Sequence, residues 1–290
     1  MSAVKVTIHA EDGYALTAYR HDPVQALHAA VVIAPGMAIR QAFYGDFAAW
    51  LARQGFRAWT FDYRGIAESA AGTMRDCDAD VSRWVGQDFE AVVRRAAGEG
   101  LPVFVVGHSL GGQVAPLLPS AGKLAGLVNI AVGSGAVRHN QPRQRFGARL
   151  LWHVLVPLLC PLFGYFPGRR LGIIGDLPAG AVRQWRRWCL TSDYLLTGEP
   201  GAREAYAQAS YPAMAMTFTD DELLLAEGSR MMHSAYRATK VDYREVRPDQ
   251  FGLKRIGHFG FFRVEHEGVL WPVVRDWLMA SVQGRHLVPA

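Results

Sequence analysis

The chain order predicts an α/β fold, a mostly parallel sheet with helices on both faces. Three features carry that expectation. The chain opens on a hairpin pattern, it then alternates unbroken apolar runs with amphipathic segments, and one long insertion interrupts the alternation late. A run with no polar alternation is a strand covered on both faces. Repeated strand–helix units close into a parallel sheet.

Taken in order, "AVKVTIHA" (3–10) and "YALTAYRHD" (14–22) flank the turn "EDG" and form the hairpin. "HAAVVIAPG" (28–36) is the first fully apolar strand, and "QAFYGDFAAWLARQG" keeps helical spacing up to its terminal glycine. The strand "FRAWTFDYRG" (56–65), the helix "VSRWVGQDFEAVVRRAAG" (81–98) and the strand "LPVFVVG" (101–107) come next. A helix after residue 109 and the strand "LAGLVNIAVG" (124–133) precede the interruption. The strand "AMAMTFTDD" (213–221), a helix near 228–238, the strand "VDYREV" (241–246) and the helix "GVLWPVVRDWLMASV" (268–282) close the chain.

At 290 residues, 50% hydrophobic and 20% charged, the chain has material for one large core with an insertion. The expected division is a first core part at 1–133, a helical cap at 134–212 and a second core part at 213–290. The opening "MSAVKVTIHAEDGY" reads as a strand and turn rather than a secretory leader. Cys77, Cys160 and Cys189 are far apart, odd in number and in no metal-ligand spacing. Reduced thiols in a cytoplasmic protein are the expectation. No nucleic-acid module accompanies the net charge of +5, so nucleic acid is not an expected partner.

"GHSLGG" (107–112) stands between an apolar strand and a helix, the setting in which G-x-S-x-G works as a nucleophile elbow. Gly107 and Gly111 clear the tight turn, and Gly112 eases the helix's approach. Ser109 is thereby forced into a strained backbone with its hydroxyl open at the carboxyl end of the sheet. A serine nucleophile needs a base, and the base needs an acid to hold its tautomer, in the chain order Ser, acid, His. Among ten histidines, His9, His21 and His28 precede the elbow and His108 lies inside it. His139 and His153 fall in the insertion, His233 in a helix, His266 just before the last helix and His286 in the tail. His258, in "KRIGHFGFFR", occupies a Gly-flanked loop between the last strand and the last helix, and it is the expected base. The acid ends the preceding strand, where "FTDDEL" offers Asp221 as the choice and Asp220 as the alternative. Backbone N–H groups of Leu110 and, in "APGMAIRQ", of Met37 are the expected oxyanion donors.

Together "GHSLGG", "FDYRGIAES", "FTDDEL" and "IGHFGFFR" resemble the α/β-hydrolase superfamily, in its serine aminopeptidase-like and monoacylglycerol-lipase-like branch. The resemblance runs from the first strand to the last helix. "FDYRGIAES" is similar to that branch's D-x-R-G-x-G-x-S stretch, carried here by Asp62, Arg64, Gly65 and Ser69, with Ala67 where a glycine is usual. Many relatives begin the oxyanion loop with His-Gly, whereas this chain has Pro35-Gly36. The resemblance implies an α/β-hydrolase fold with a helical cap after the sixth strand, and hydrolysis of a carboxylic ester through an acyl-enzyme. Thioester or amide hydrolysis and acyl transfer to an alcohol use the same parts. A catalytically silent ligand-binding relative would usually lack a triad member, and none is missing. A serine at the elbow excludes the superfamily's aspartate-nucleophile mechanisms, and no metal or organic cofactor is required.

The insertion is far longer than an ordinary connection. Residues 136–190 hold nine arginines against Asp176 alone, a net of +8, which leaves the rest of the chain at −3. Its centre, "LLWHVLVPLLCPLFGYF" (150–166), is broken by Pro157, Pro161 and Gly164. Two cap helices over the pocket are the expectation, since the run is too short and broken to span a bilayer comfortably. An acyl-chain channel or a membrane-contact face flanked by arginines is the sharper alternative. A small acyl substrate that is anionic or lipid-like, or presented on an anionic surface, fits that charge. "RQWRRWCL" (183–190) reads equally as a helix that buries its tryptophans and solvates its arginines.

Overall fold

The computed structural model, described over residues 3–24 and 26–284, organises the chain around an eight-stranded sheet. His286, set aside above as a tail residue, lies outside the described residues. β1 (Val4–His9) and β2 (Ala15–His21) form the antiparallel hairpin. β3 (Ala29–Ala34), β4 (Phe56–Phe61), β5 (Val103–His108) and β6 (Gly126–Ile130) follow. The insertion contains a short antiparallel pair that the sequence reading did not foresee, β7 (Tyr165–Phe166) and β8 (Leu177–Pro178). β9 (Ala213–Phe218) and β10 (Val241–Val246) complete the main sheet, whose spatial order is β1-β2-β4-β3-β5-β6-β9-β10. All pairings from β4 to β10 are parallel.

Every residue of β3, β5, β6 and β9 is buried, as expected of largely apolar strands covered on both faces. One face packs the helices Gly45–Arg53 and Trp271–Val282 through Phe47, Trp50 and Trp271. The other carries the helical run 81–97 and the insertion through Trp84, Phe89, Trp152 and Trp188. The run 81–97 passes through a π-helical segment, Trp84–Phe89, which delivers the buried Asp88 to the sheet end. The helix after the elbow is only five residues long, Leu110–Val114. Pro116 stops it, because the ring has no N–H to give and clashes with the carbonyl four residues back.

The insertion corrects one expectation. Instead of two helices broken at the prolines, a single helical run of 22 residues spans Pro142–Phe163. The π-helical segment Leu151–Leu155 widens the backbone just before Pro157, which takes up the missing hydrogen bond and the ring clash there. Trp152, Val156 and Cys160 bury one side of this helix at a spacing of four. Phe146, Leu150, Val154, Leu158 and Leu162 expose the opposite side at the same spacing. By length and composition the helix would suffice to cross a membrane, yet its inner side is packed on the rest of the chain.

Candidate active site

Ser109 follows β5 with φ +48° and ψ −116°, a conformation that L-residues rarely hold. The turn is this tight because the glycines around it are filled by other backbone. A Cβ on Gly107 would stand 2.3 Å from Gly112 Cα, and one on Gly111 would stand 2.2 Å from the carbonyl oxygen of Ala34 in β3. The elbow is pinned by its own main chain, with the Ser109 N–H donating to the Ile130 carbonyl at 3.0 Å.

The base and acid arrive from two loops beyond β9 and β10. His258 Nδ1 lies 2.7 Å from Asp221 Oδ2, both side chains being buried. A carboxylate only accepts, so Nδ1 carries the hydrogen and Nε2 is left with its lone pair. The other Asp221 oxygen accepts from the Leu223 and Leu224 N–H groups at 2.7 and 2.9 Å. Asp220 turns the other way. It accepts from the Ile256 and Gly257 N–H groups at 2.8 and 3.1 Å, and so holds the loop that presents His258. Glu222 accepts from the His258 N–H at 3.0 Å. Three consecutive acids therefore meet one histidine loop, and the sequence reading assigned a contact there to Asp221 alone. Gly257, at φ +67°, lets the backbone reach Glu222, since a Cβ there would stand 2.5 Å from its Oε2.

The expected oxyanion loop abuts the elbow. A Cβ on Gly36 would lie 3.4 Å from Ser109 Cβ. Among the described residues, no protein acceptor is paired with the N–H of Met37 or of Leu110. Asp62 buttresses this loop from the next strand, accepting from the Gln41 N–H at 2.8 Å and from the Glu68 N–H at 3.2 Å. Arg64, only 4% exposed, joins buried Asp88 to Asp12 of the hairpin turn, at 2.6 and 2.5 Å. Burial pushes the Asp88 carboxyl up, against the pull of Arg64. Ser69 Oγ accepts from the Thr17 N–H at 2.9 Å. Ala67, where a glycine was expected, sits at φ +40°. This stretch is a scaffold behind the site.

Residues 25–164 match the family model described as serine aminopeptidase, S33. No curated protein matches the chain significantly in sequence. Among solved structures, a soluble variant of monoglyceride lipase from Saccharomyces cerevisiae, in complex with a substrate analogue, superposes with a TM-score of 0.71. It is 16% identical, over 97% of this chain and 96% of that one. The chain has the α/β-hydrolase fold. The monoacylglycerol lipase of Paleococcus ferrophilus matches this chain with a TM-score of 0.59 at 17% identity, over 92% of this chain and 99% of that one. A thermophilic esterase from Thermogutta terrifontis matches it at 0.61 and 17%, over 97% and 99%.

In this chain the insertion is bolted to the elbow helix. Tyr194 Oη donates to Gln113 Oε1 at 3.0 Å, and Tyr206 Oη donates to the Gln113 carbonyl at 2.6 Å. Gln113 Nε2 in turn donates to the Gly133 carbonyl at 2.7 Å. Several arginines of the insertion are committed internally. Arg187 pairs with Glu199 at 2.8 Å, Arg138 with Asp193 at 3.5 Å, and the Arg186 guanidinium donates to the Trp152 carbonyl. The two acids lie just past the stretch whose charge was counted, which is why a window on sequence overstated the free positive charge. On the helix Ala179–Cys189, Trp188 is buried and its Nε1 donates to Glu199 at 2.9 Å, so burial of the tryptophan describes this helix. Among the described residues, Arg143, Arg149 and Arg183 are exposed and have no acidic partner.

Proposed function

We propose that this chain is a cytoplasmic serine hydrolase that cleaves carboxylic esters with an apolar acyl portion. The observation that carries the reading is the buried His258–Asp221 pair standing beyond a β5 elbow whose serine holds φ +48°. Ser109 Oγ attacks the acyl carbonyl while His258 Nε2 takes its proton, and Asp221 stabilises the imidazolium that forms. The oxyanion is received by the N–H groups of Leu110 and Met37, each such donor being worth about 10²–10³ in rate. His258 then protonates the leaving alcohol, and water releases the acyl group from Ser109.

The activities in the names of the structural relatives, two lipases of monoacylglycerols and an esterase, support an ester over an amide. Residues 134–212 serve as the cap, and its outer face meets lipid. Exposures from 40% to 79% along Phe146, Leu150, Val154, Leu158 and Leu162 leave an apolar stripe on one helix. Withdrawing it from water is worth on the order of 5 kcal/mol. That is comparable to a single acyl anchor, so contact with a bilayer is reversible. The exposed Arg143 and Arg149 on the same helix add attraction to anionic headgroups.

The test is a matched series of p-nitrophenyl esters, thioesters and anilides of graded chain length. Esters of longer chains should turn over fastest. Anilides turned over faster than esters would move the reading to an amidase or peptidase.

A further inference from the structure

Three loops converge on the elbow, and one buried chain of hydrogen bonds joins them. The Gly36 N–H, just past β3, donates to the Tyr44 hydroxyl oxygen at 2.9 Å. Tyr44 Oη lies 2.8 Å from His108 Nδ1, and His108 Nε2 lies 3.0 Å from the carbonyl oxygen of His258. The directions follow from chemistry. A carbonyl only accepts, so His108 Nε2 carries the ring hydrogen. Burial keeps this imidazole neutral by pulling it down to about 3, so Nδ1 has a lone pair and accepts from the Tyr44 hydroxyl. The hydroxyl oxygen then has a lone pair for Gly36. Tyr44 and His108 are fully buried, and Phe43, Phe259 and Phe262 wall the imidazole.

We infer that Tyr44 and His108 are positioning residues that fix the spacing between the oxyanion loop and the base loop across the elbow. The inference rests on the roles proposed above for Ser109, His258 and Met37. Its ends are attached to backbone, and to the backbone that matters. Gly36 is the neighbour of Met37, so a shift of one carries the N–H of the other. The other end is the carbonyl of the base itself. His108 precedes Ser109, so the midpoint of the brace is the elbow. Neither side chain touches a reacting atom or moves a proton. Misplacing a catalytic group by an ångström costs about 10² in rate, which is the scale such a brace protects.

Tyr44→Phe removes both hydroxyl bonds at almost constant volume, and His108→Gln keeps a donor toward the His258 carbonyl while moving its acceptor oxygen off the Nδ1 position that Tyr44 meets. Phe43→Leu is the control, because it loosens packing on the same imidazole and leaves the chain of bonds intact. Active sites are counted by fluorophosphonate titration, so that only folded enzyme is compared. Tyr44→Phe and His108→Gln should each lower kcat about tenfold at unchanged KM, for short and long acyl chains alike, and slow fluorophosphonate labelling by the same factor. Phe43→Leu should stay within twofold of wild type per active site. The brace is overturned if Tyr44→Phe keeps wild-type kcat per active site, or if Phe43→Leu loses as much. A wild type that no fluorophosphonate labels would remove the hydrolase reading instead, a result distinct from either.

Discussion

The imidazole of His258 meets the carboxylate of Asp221 at 2.7 Å, while the carboxylate of Asp220, one residue earlier, holds the amides of Ile256 and Gly257. Both lie in the turn after β9, closed by the Asp221 N–H on the Phe218 carbonyl, and there one acid faces the imidazole and the other faces the backbone that carries it. Asp221→Asn should lower kcat by several orders of magnitude at little cost to stability, since an amide at that place favours the wrong tautomer of His258. Asp220→Asn should lose far less activity and more thermal stability. Kinetics and melting of both variants check the split, and a larger kcat loss in Asp220→Asn would exchange the roles.

His233 is a buried histidine outside the proposed chemistry. Its Nδ1 donates to the Ser229 carbonyl at 2.8 Å, its Nε2 accepts from Asn129 at 3.0 Å, and burial holds it down to about 4. An unfolded histidine titrates near pH 6.5. Between that value and about 4, the unfolded chain takes up a proton that the folded chain refuses, so this residue's contribution to stability falls as pH falls. His233→Gln cannot take up that proton. Urea midpoints from pH 7 to 4.5 should show the variant gaining on wild type by about 1.4 kcal/mol per pH unit below 6.5. A difference that stays constant with pH would contradict the assignment.

Ala67 at φ +40° occupies a place where the branch usually has glycine. A side chain in that region costs roughly 1–2 kcal/mol, and a glycine there loses part of the gain to unfolded-chain entropy. Ala67→Gly should therefore raise stability by about 1 kcal/mol, or roughly 2 °C in melting temperature. An unchanged or lower melting temperature would show that the loop is not strained.

The outer stripe of the helix at 142–163 and the arginines behind it should separate in function. Leu158→Glu with Leu162→Glu should abolish sedimentation with anionic vesicles and leave turnover of a short soluble ester intact. Arg186→Gln should instead destabilise the insertion, because that guanidinium holds the Trp152 carbonyl within the π-helical segment. Vesicle binding that survives the two glutamates would detach the stripe from any lipid role.

What was legible in the sequence was whatever local chemistry decides. Apolar runs marked β3, β5, β6 and β9, because strands buried on both faces are mostly apolar, with His108, Asn129 and Thr217 the buried polar exceptions. The positive φ of Ser109 was legible because glycines surround it at fixed spacing. The helical run through Pro157 and Pro161 was not, since a five-residue π-helical segment that no sequence rule marks absorbed the first proline. Nor were the contacts of Glu222 and Tyr44, which depend on loops distant in sequence meeting at the elbow. His108 was noted and set aside as a base, correctly placed within the elbow. What it binds could be read only from the fold.

The central claim is that Ser109 is the nucleophile. Incubation of wild type and Ser109→Ala with a fluorophosphonate probe, read as intact mass and by peptide mapping, tests it most directly. One adduct on Ser109 in wild type and none on the folded variant is the expected result. An adduct that persists in Ser109→Ala, or maps to another residue, would contradict the account.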